Sequence, residues 1–166
     1  NQHYTWDNMG VNNLLGENQM STRACYTFTD RQGEFHVYKH HDGYPYAHGV
    51  HEGENYEVGG LVWINNAKGF SWELPRFEAD DFAASFVVAN KDGGGGCRLI
   101  NKPNPWEFSS DSEYWYKIKI AVPALDVWVD VYRVDWWNKD NRTSDKIMSG
   151  ALSELISSKH SQREVA

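Results

Sequence analysis

The chain has 166 residues, enough for one domain with a sizeable core, and its composition of 40% hydrophobic and 23% charged residues is typical of a globular protein. Its net charge of −7, without any run of Lys or Arg, argues against nucleic acid as a partner. No apolar stretch is long enough to span a bilayer and no secretory signal is recognisable, so we expect a cytoplasmic protein with no membrane partner, whose Cys25 and Cys97 are free thiols.

The first 19 residues are polar, contain five asparagines and show no hydrophobic period. They are typical of a flexible lead-in. We therefore expect a single domain over residues 20–160, between a lead-in over residues 1–19 and a short tail over residues 161–166. No internal repeat of fixed period divides the domain.

A β-hairpin is predicted at the start of this domain. Residues 23–29, "RACYTFT", alternate between apolar and polar side chains, "DRQG" is a turn signal, and "EFHVYKH" alternates again. Asp-Gly and Pro in "HDGYP" end the second strand. The next segment, residues 55–69, contains a glycine pair and the apolar "LVWI", and we interpret it as a helix.

The clearest helix lies in "LPRFEADDFAASFVVANKDGGGG", with acids at its beginning and glycines at its end. "CRLI" predicts a short strand. A second hairpin follows in "EYWYKIKIAV" and "LDVWVDVYRVDWW", which are joined through Pro123. The last element, "SDKIMSGALSELISSKH", has apolar residues at helical spacing, and Ser144 is the expected N-cap of this helix.

These elements predict an α+β fold: an antiparallel sheet of two hairpins plus a short strand, with two or three helices packed on one face. Within the second hairpin, alternation places Val127, Val129 and Val131 on one face of the sheet. Asp126, Trp128, Asp130 and Tyr132 fall on the other face, where Lys117 and Lys119 are expected to pair with the acids.

Residues 35–54, "FHVYKHHDGYPYAHGVHEGE", contain five of the seven histidines. One hypothesis is a divalent metal site, such as zinc, with ligands drawn from His40, His41, Asp42, His48 and His51. On an extended strand, however, His36 and His40 lie roughly 13 Å apart, too far to share one metal. The alternative is structural: a half-solvated strand face that carries His36, Tyr38 and His40, followed by an Asp-Gly turn.

The segment "MSTRACYTF", followed by "GEFHVYKHHDGYP", resembles the opening of a family of small phage and mobile-element proteins. Members begin Met-Ser-Thr-Arg and carry His-x-Asp-Gly-Tyr-Pro after a first hairpin. The matching positions here are Ser21, Thr22, Arg23, His40, Asp42, Gly43, Tyr44 and Pro45. The resemblance covers residues 20–47 and implies an origin on a mobile element, but no activity. The chain departs from the family in its lead-in and in the His- and Gly-rich segment 47–60.

A candidate polar site lies at the open end of the first hairpin. If the turn occupies residues 30–33, residue i faces residue 63 − i, so Arg23 lies opposite His40 and near Asp42. We expect Arg23, His40 and Asp42 to form an ion pair or shared hydrogen-bond network, with Tyr44 beside it. A mainly structural role for this network is favoured.

The aromatic content of 14% is high, and we expect most of these rings to close the core and some to line an exposed patch or groove. A binding surface is predicted around Trp128, Tyr132, Trp136 and Trp137, for a protein partner or a small ligand. No catalytic motif accompanies it, so we expect binding rather than catalysis, without a cofactor, and self-association into a homodimer through strand 125–137. The alternative function is a metal-dependent hydrolase that uses the His-rich segment 36–54.

Overall fold

The computed structural model describes residues 22–94, 96–101, 112–121, 125–135 and 143–165, with side chains to residue 160. The predicted lead-in over residues 1–19 lies outside these ranges. None of the helices within them is both long and apolar enough to cross a membrane. The elements of the described chain are, in order, β1 (Arg23–Asp30), β2 (Gly33–Lys39), β3 (Ala47–His51), β4 (Glu54–Val58), α1 (Gly60–Ala67), α2 (Ala79–Asn90), β5 (Cys97–Ile100), β6 (Ser112–Ala121), β7 (Asp126–Val134), β8 (Ser144–Ala151) and α3 (Leu152–Val165).

The main sheet has six strands in the order β5-β2-β1-β6-β7-β8, and β3 and β4 form a separate two-stranded sheet. Both predicted hairpins are confirmed, because β1 pairs antiparallel with β2 and β6 pairs antiparallel with β7. The two hairpins meet at the parallel pair of β1 and β6, so the sheet is mixed rather than purely antiparallel. The fold is α+β, as predicted, with a larger sheet.

The C-terminal segment differs from its predicted structure. Residues 144–151 form β8, which pairs antiparallel with β7, and the helix begins only at Leu152. Ser144 is therefore not an N-cap; it lies opposite Val134 in the ladder. The apolar spacing that resembles a helix arises because Met148 packs on the core from a strand and Leu155 from a helix. Strand pairing also satisfies the backbone of β7, which no local pattern reveals.

Residues 55–69 combine a strand and a helix, so the predicted helix is confirmed only in its second half. Gly59, with a φ of 125°, separates β4 from α1. A Cβ atom at this position would lie 2.6 Å from the Pro45 carbonyl oxygen. Glycine is therefore required both by the backbone conformation and by the close approach of the preceding loop.

One hydrophobic core lies between the sheet and the three helices. Tyr26 and Phe28 of β1 pack against Phe86 of α2, with ring centroids 4.5 and 5.5 Å from that of Phe86. Tyr26 also stacks on Tyr116 of β6 at 4.7 Å. In β7, the predicted alternation is confirmed by the complete burial of Val127, Val129 and Val131. The helices thus cover one face of the sheet.

Candidate functional site

The turn at residues 42–45 follows β2 and packs closely on the start of β1. Asp42 has a φ of 57°, a left-handed conformation that Asp tolerates better than most residues. The Gly43 amide donates to the Thr22 carbonyl at 2.8 Å, and a Cβ atom at Gly43 would lie 2.8 Å from that of Ala24. The Asp-Gly pair of the sequence motif therefore permits a close contact between the turn and β1.

The same turn also holds the beginning of α1. The Gly60 amide donates to the Tyr44 carbonyl at 2.8 Å, which satisfies one of the helix amides that have no partner within the helix. The indole N–H of Trp63 donates to the Asp42 carbonyl at 3.1 Å. The motif thus joins the sheet to a helix, and these contacts account for its residues structurally.

The carboxylate of Asp42 is buried, since the residue is only 5% exposed. Its Oδ1 accepts a hydrogen bond from the Tyr44 hydroxyl at 2.6 Å, so these two candidate residues are in contact. Its Oδ2 has no hydrogen-bond partner among the described residues. The negative charge of Asp42 adds to the effect of burial in raising the pKa of the nearby Tyr26.

Arg23 and His40 are in contact as predicted, because the register of β1 and β2 follows the sum of 63, with Ala24 opposite Lys39. Arg23 Nε donates to His40 Nδ1 at 3.2 Å, and the Tyr38 hydroxyl lies 2.7 Å from the same nitrogen. Because an arginine N–H can only donate, Nδ1 is the acceptor and the neutral ring carries its proton on Nε2. The Asp42 carboxylate interacts with Tyr44 instead of completing an ion pair with Arg23 through Oδ2.

The pKa of His40 agrees with this assignment. Burial, followed by the positive charges of His41 and Arg23, lowers the pKa of His40 to about 4. Protonation would place a charge beside the Arg23 guanidinium and would convert the accepting nitrogen into a donor. His40 is therefore a neutral acceptor at neutral pH, which is the structural role favoured for this site.

His36 is held in the same way on the same side of β2. The Trp115 indole N–H donates to Thr27 Oγ1 at 2.9 Å, and Thr27 Oγ1 lies 3.0 Å from His36 Nδ1. The indole N–H donates to the threonine oxygen, and the same oxygen forms the hydrogen bond with the His36 ring, so Thr27 connects Trp115 to His36. Burial lowers the pKa of His36. His36 and Tyr38 are 8% and 6% exposed, so the expectation of a half-solvated strand face was wrong here.

The five candidate metal ligands lie in two separate parts of the fold. His40, His41 and Asp42 lie at the end of β2, and the rings of His40 and His41 are 4.6 Å apart. His48 and His51 lie on β3, where His48 Nε2 contacts the Asn55 side chain at 3.2 Å. In the part of the chain that the structure describes, no three His, Cys, Asp or Glu side chains are grouped as metal ligands would be. The metal site stays a prediction.

A different cluster lies on the side of the sheet opposite the helices. Cross-strand register brings together residues from three neighbouring strands. We call this surface the aromatic–lysine face, and its members are Trp115, Lys117, Lys119, Trp128, Asp130, Tyr132 and Lys146.

The rings and amines of this face are in direct contact. The ring centroids of Trp115 and Tyr132 are 6.3 Å apart. The Lys117 amine lies 4.3 Å from the Trp115 ring centroid and 4.7 Å from that of Tyr132. The Lys146 amine lies 5.9 Å from the Tyr132 centroid. Lysines are thus held beside aromatic rings by cation–π interactions, which are worth about 0.5–1 kcal/mol at exposed sites.

Asp130 is the acid at the centre of this face, and its charge is already engaged. Its Oδ1 accepts hydrogen bonds from the Ser149 hydroxyl and from the Trp128 indole N–H, at 2.5 and 3.1 Å. The Lys146 amine lies 3.8 Å from the same oxygen. Asp130 therefore orients Trp128, a ring that is 37% exposed, and it is the acid that lies opposite Lys117 in the ladder.

The second acid of the predicted pairing has another function. Asp126 accepts hydrogen bonds from Lys68 Nζ at 2.5 Å and from the Ser153 hydroxyl at 2.6 Å. Burial raises the pKa of Asp126, but these hydrogen bonds outweigh burial and bring it to about 2. The prediction that Lys117 and Lys119 pair with Asp126 was therefore wrong, because this acid connects β7 to α1 and α3.

Two of the four residues predicted for the aromatic surface, Trp128 and Tyr132, belong to this face. Trp136 and Trp137 lie outside the described residues. Sequence reasoning did not assign Trp115 and Lys146 to the surface. The alternation of "EYWYKIKI" identifies the face of Trp115, because it shares that face with Lys117. No local signal identifies Lys146, whose segment was predicted to be helical.

Comparison with known proteins gives no relative of this chain. No protein-family model matches it, no curated protein is significantly similar, and no solved structure matches its fold significantly.

Proposed function

We propose that this chain is a binding protein that holds a small ligand or a protein partner on the aromatic–lysine face. The observation that carries the proposal is the arrangement of Trp115, Trp128 and Tyr132 on the sheet surface that the helices leave uncovered. Large rings outside the core contribute little to folding, yet two of these indoles are fixed by hydrogen bonds. Rigid aromatic side chains lose little entropy on binding and are common anchors in interfaces.

The other parts of the proposal rest on separate grounds. The resemblance at residues 20–47 supports an origin on a phage or other mobile element. A cytoplasmic location is supported by the two cysteines, Cys25 and Cys97, which are both buried and form no disulfide. Cysteines outside disulfides are typical of a reducing compartment.

Nuclear magnetic resonance with a panel of planar aromatic fragments tests the binding proposal. The probes are purine, indole and uridine, which carry no net charge. We expect chemical-shift changes at the indole N–H groups of Trp115 and Trp128 and at the amide of Tyr132. Trp128→Ala should weaken this binding by about tenfold, since each stacking contact contributes on the order of 1–3 kcal/mol.

A matched control is available in the segment between α1 and α2. Trp72 is 46% exposed and stacks on Arg76 at 3.5 Å, so it has the same chemistry at a different place. Trp72→Ala should leave fragment binding unchanged. Shifts that occur at Trp72, or no shifts with any fragment, would exclude the aromatic–lysine face as the binding surface.

A second copy of the chain is a further partner that we propose, at a different surface from the one first expected. β7 lies between β6 and β8, so the described part of the expected strand, Asp126–Val134, presents no free edge. Within the described residues, β5 pairs only with β2, and it exposes 74% of Leu99 beside Phe35. These residues border a depression of about 620 Å³. Pairing of two β5 edges would cover this apolar surface.

Light scattering measures this self-association directly. We expect the mass of a dimer, and the mass of a monomer for Leu99→Lys because a charge would enter the joined edge. A monomer at high concentration for the unmodified chain would contradict the homodimer.

The metal-dependent hydrolase is the less favoured alternative. His40 Nδ1 accepts a hydrogen bond from Arg23 and His36 Nδ1 is engaged with Thr27, which leaves only Nε2 of each ring for a metal. Elemental analysis after purification without chelators tests the alternative. Stoichiometric zinc, manganese or iron that is lost in His48→Ala would support the hydrolase against the binding-only proposal.

A further inference from the structure

The charges on the sheet are unevenly distributed. The chain has a net charge of −7, yet the amines of Lys117, Lys119 and Lys146 gather on the aromatic–lysine face. Asp130 is opposed by the Lys146 amine at 3.8 Å and accepts two further hydrogen bonds. At physiological ionic strength, charges are screened over about 8 Å, so acids elsewhere on the surface act only weakly here. Among the described members of the face, three lysines therefore outnumber the one acid.

The rings and amines also alternate across the face. Lys119 lies directly opposite Trp128 and Lys146 lies directly opposite Tyr132, so a cation accompanies each end of the aromatic row, and Lys117 lies between them opposite Asp130. Phosphate groups bind amines through charge-assisted hydrogen bonds, and bases stack on aromatic rings without regard to sequence. A ligand that fits this pattern carries both planar rings and anionic groups, in alternation.

The length of the row distinguishes a strand from a single nucleotide. Trp128 and Tyr132 are four residues apart on β7, which corresponds to about 13 Å. Stacked nucleotides are spaced by roughly 3.4 Å, so this span is the length of about four of them. A mononucleotide can contact only one end of the row, whereas a single strand can contact both.

We propose that the aromatic–lysine face binds single-stranded nucleic acid, with Trp128 and Tyr132 stacking on bases and Lys117, Lys119 and Lys146 contacting phosphates. This proposal names the ligand of the binding function proposed above and rests on it. It differs from the expectation drawn from charge in the sequence, because the lysines come from two separated strands and form no run. A second copy docked by the same face would place these lysines against each other, so nucleic acid fits the charge better than self-association does.

Fluorescence anisotropy with a labelled oligothymidylate of about a dozen nucleotides tests the proposal. We expect the binding affinity to fall as the salt concentration rises. The logarithm of the affinity plotted against the logarithm of the salt concentration should have a slope near −2, because each of three phosphate contacts contributes about −0.7. Lys117→Gln and Lys146→Gln should each reduce that slope by about 0.7. Trp128→Ala should weaken binding about tenfold and leave the slope unchanged.

The control pair lies in the segment between α1 and α2. Arg76→Gln and Trp72→Ala remove a cation and a ring that stack on each other at 3.5 Å, and neither should change the affinity. Circular dichroism of each variant confirms that it is folded. Equal losses in the control pair would show binding outside the proposed face and would overturn the proposal.

Other outcomes separate the nucleic acid from the underlying binding function. If heparin or vesicles of anionic lipid bind as well as the oligonucleotide and Trp128→Ala has no effect, the face recognises only negative charge and the proposal fails. If the uncharged planar fragments bind but the oligonucleotide does not, the binding function stands and nucleic acid is excluded. If neither binds, both proposals fail.

Discussion

The two faces of the six-stranded sheet are built from the same strands, but they are held together by different interactions. On the helix-covered face, Tyr26, Phe86 and Val129 are fully or almost fully buried and pack by shape. On the opposite face, Thr27 joins His36 to Trp115 through hydrogen bonds, and lysines contact rings. A period of two residues therefore places the apolar core on one side of each strand and polar, charged and aromatic side chains on the other.

The largest difference between the faces should appear on removing a ring from the helix-covered core. Phe86→Ala would leave a cavity between Tyr26 and Phe28, whose ring centroids lie 4.5 and 5.5 Å from that of Phe86. We expect a loss of about 3–5 kcal/mol in the free energy of unfolding, measured by urea titration. Val88→Ala on the same helix, at a position 64% exposed, should cost less than about 0.5 kcal/mol. Similar losses for both would contradict this description of the core.

The junction between the small sheet and α1 should be nearly as sensitive. Gly59→Ala would impose a strained backbone at a φ of 125° and a contact of 2.6 Å with the Pro45 carbonyl oxygen. A destabilisation of roughly 2–4 kcal/mol is expected from strain and overpacking together. Gly33→Ala is the control, since a Cβ atom there meets nothing within 4 Å. Thermal unfolding of the two variants compares them directly.

Acid should destabilise the polar face through His40. Its pKa is about 4 in the folded protein and about 6.5 when unfolded, so the unfolded state binds a proton first as the pH falls through this window. Stability is therefore lost as pH falls from about 6.5 to about 4. The loss in the free energy of unfolding is on the order of 1–3 kcal/mol, a range that includes the reduction by solvent screening of this partly exposed ring. In His40→Gln this part of the pH dependence should be absent from urea titrations at a series of pH values. An unchanged pH dependence would show that His40 is not the responsible group.

A smaller effect is expected for the contact that holds His40. Arg23→Ala removes the donor 3.2 Å from His40 Nδ1 and should lower the free energy of unfolding by about 1 kcal/mol, with a lower melting temperature. Fragment and oligonucleotide binding should not change. Arg31→Ala, in the exposed turn after β1, is the comparison variant and should leave the free energy of unfolding nearly unchanged. Normal folding with lost ligand binding would instead make Arg23 part of the site.

The smallest effect on stability should come from the exposed ring of the aromatic–lysine face. Trp128→Ala should change the free energy of unfolding by no more than about 0.5 kcal/mol, because the ring lies outside the core. Trp63 is part of the buried core and is only 8% exposed. Trp63→Ala should therefore lower the free energy of unfolding by about 3–5 kcal/mol. Equal losses for these two tryptophans would remove the distinction between the faces.

Local pattern was sufficient for much of this fold. Alternation in residues 23–40 and 113–134 predicted both hairpins, and the acids and glycines around residues 79–90 predicted α2, because strand and helix periods depend only on near neighbours. The position of the first turn was enough to place Arg23 opposite His40, because an antiparallel register follows from its turn. Alternation also placed Trp128 and Tyr132 on the face opposite the buried valines.

Tertiary structure decided what depends on partners distant in the chain. Residues 144–151 have apolar spacing compatible with a helix, but they form a strand because β7 offers backbone groups that must be paired. Alternation predicts Asp126 as a partner for a lysine of β6, yet it anchors α1 and α3 through Lys68 and Ser153. The aromatic–lysine face exists only after β6, β7 and β8 are aligned, because its amines come from strands that are separated in sequence and form no basic run.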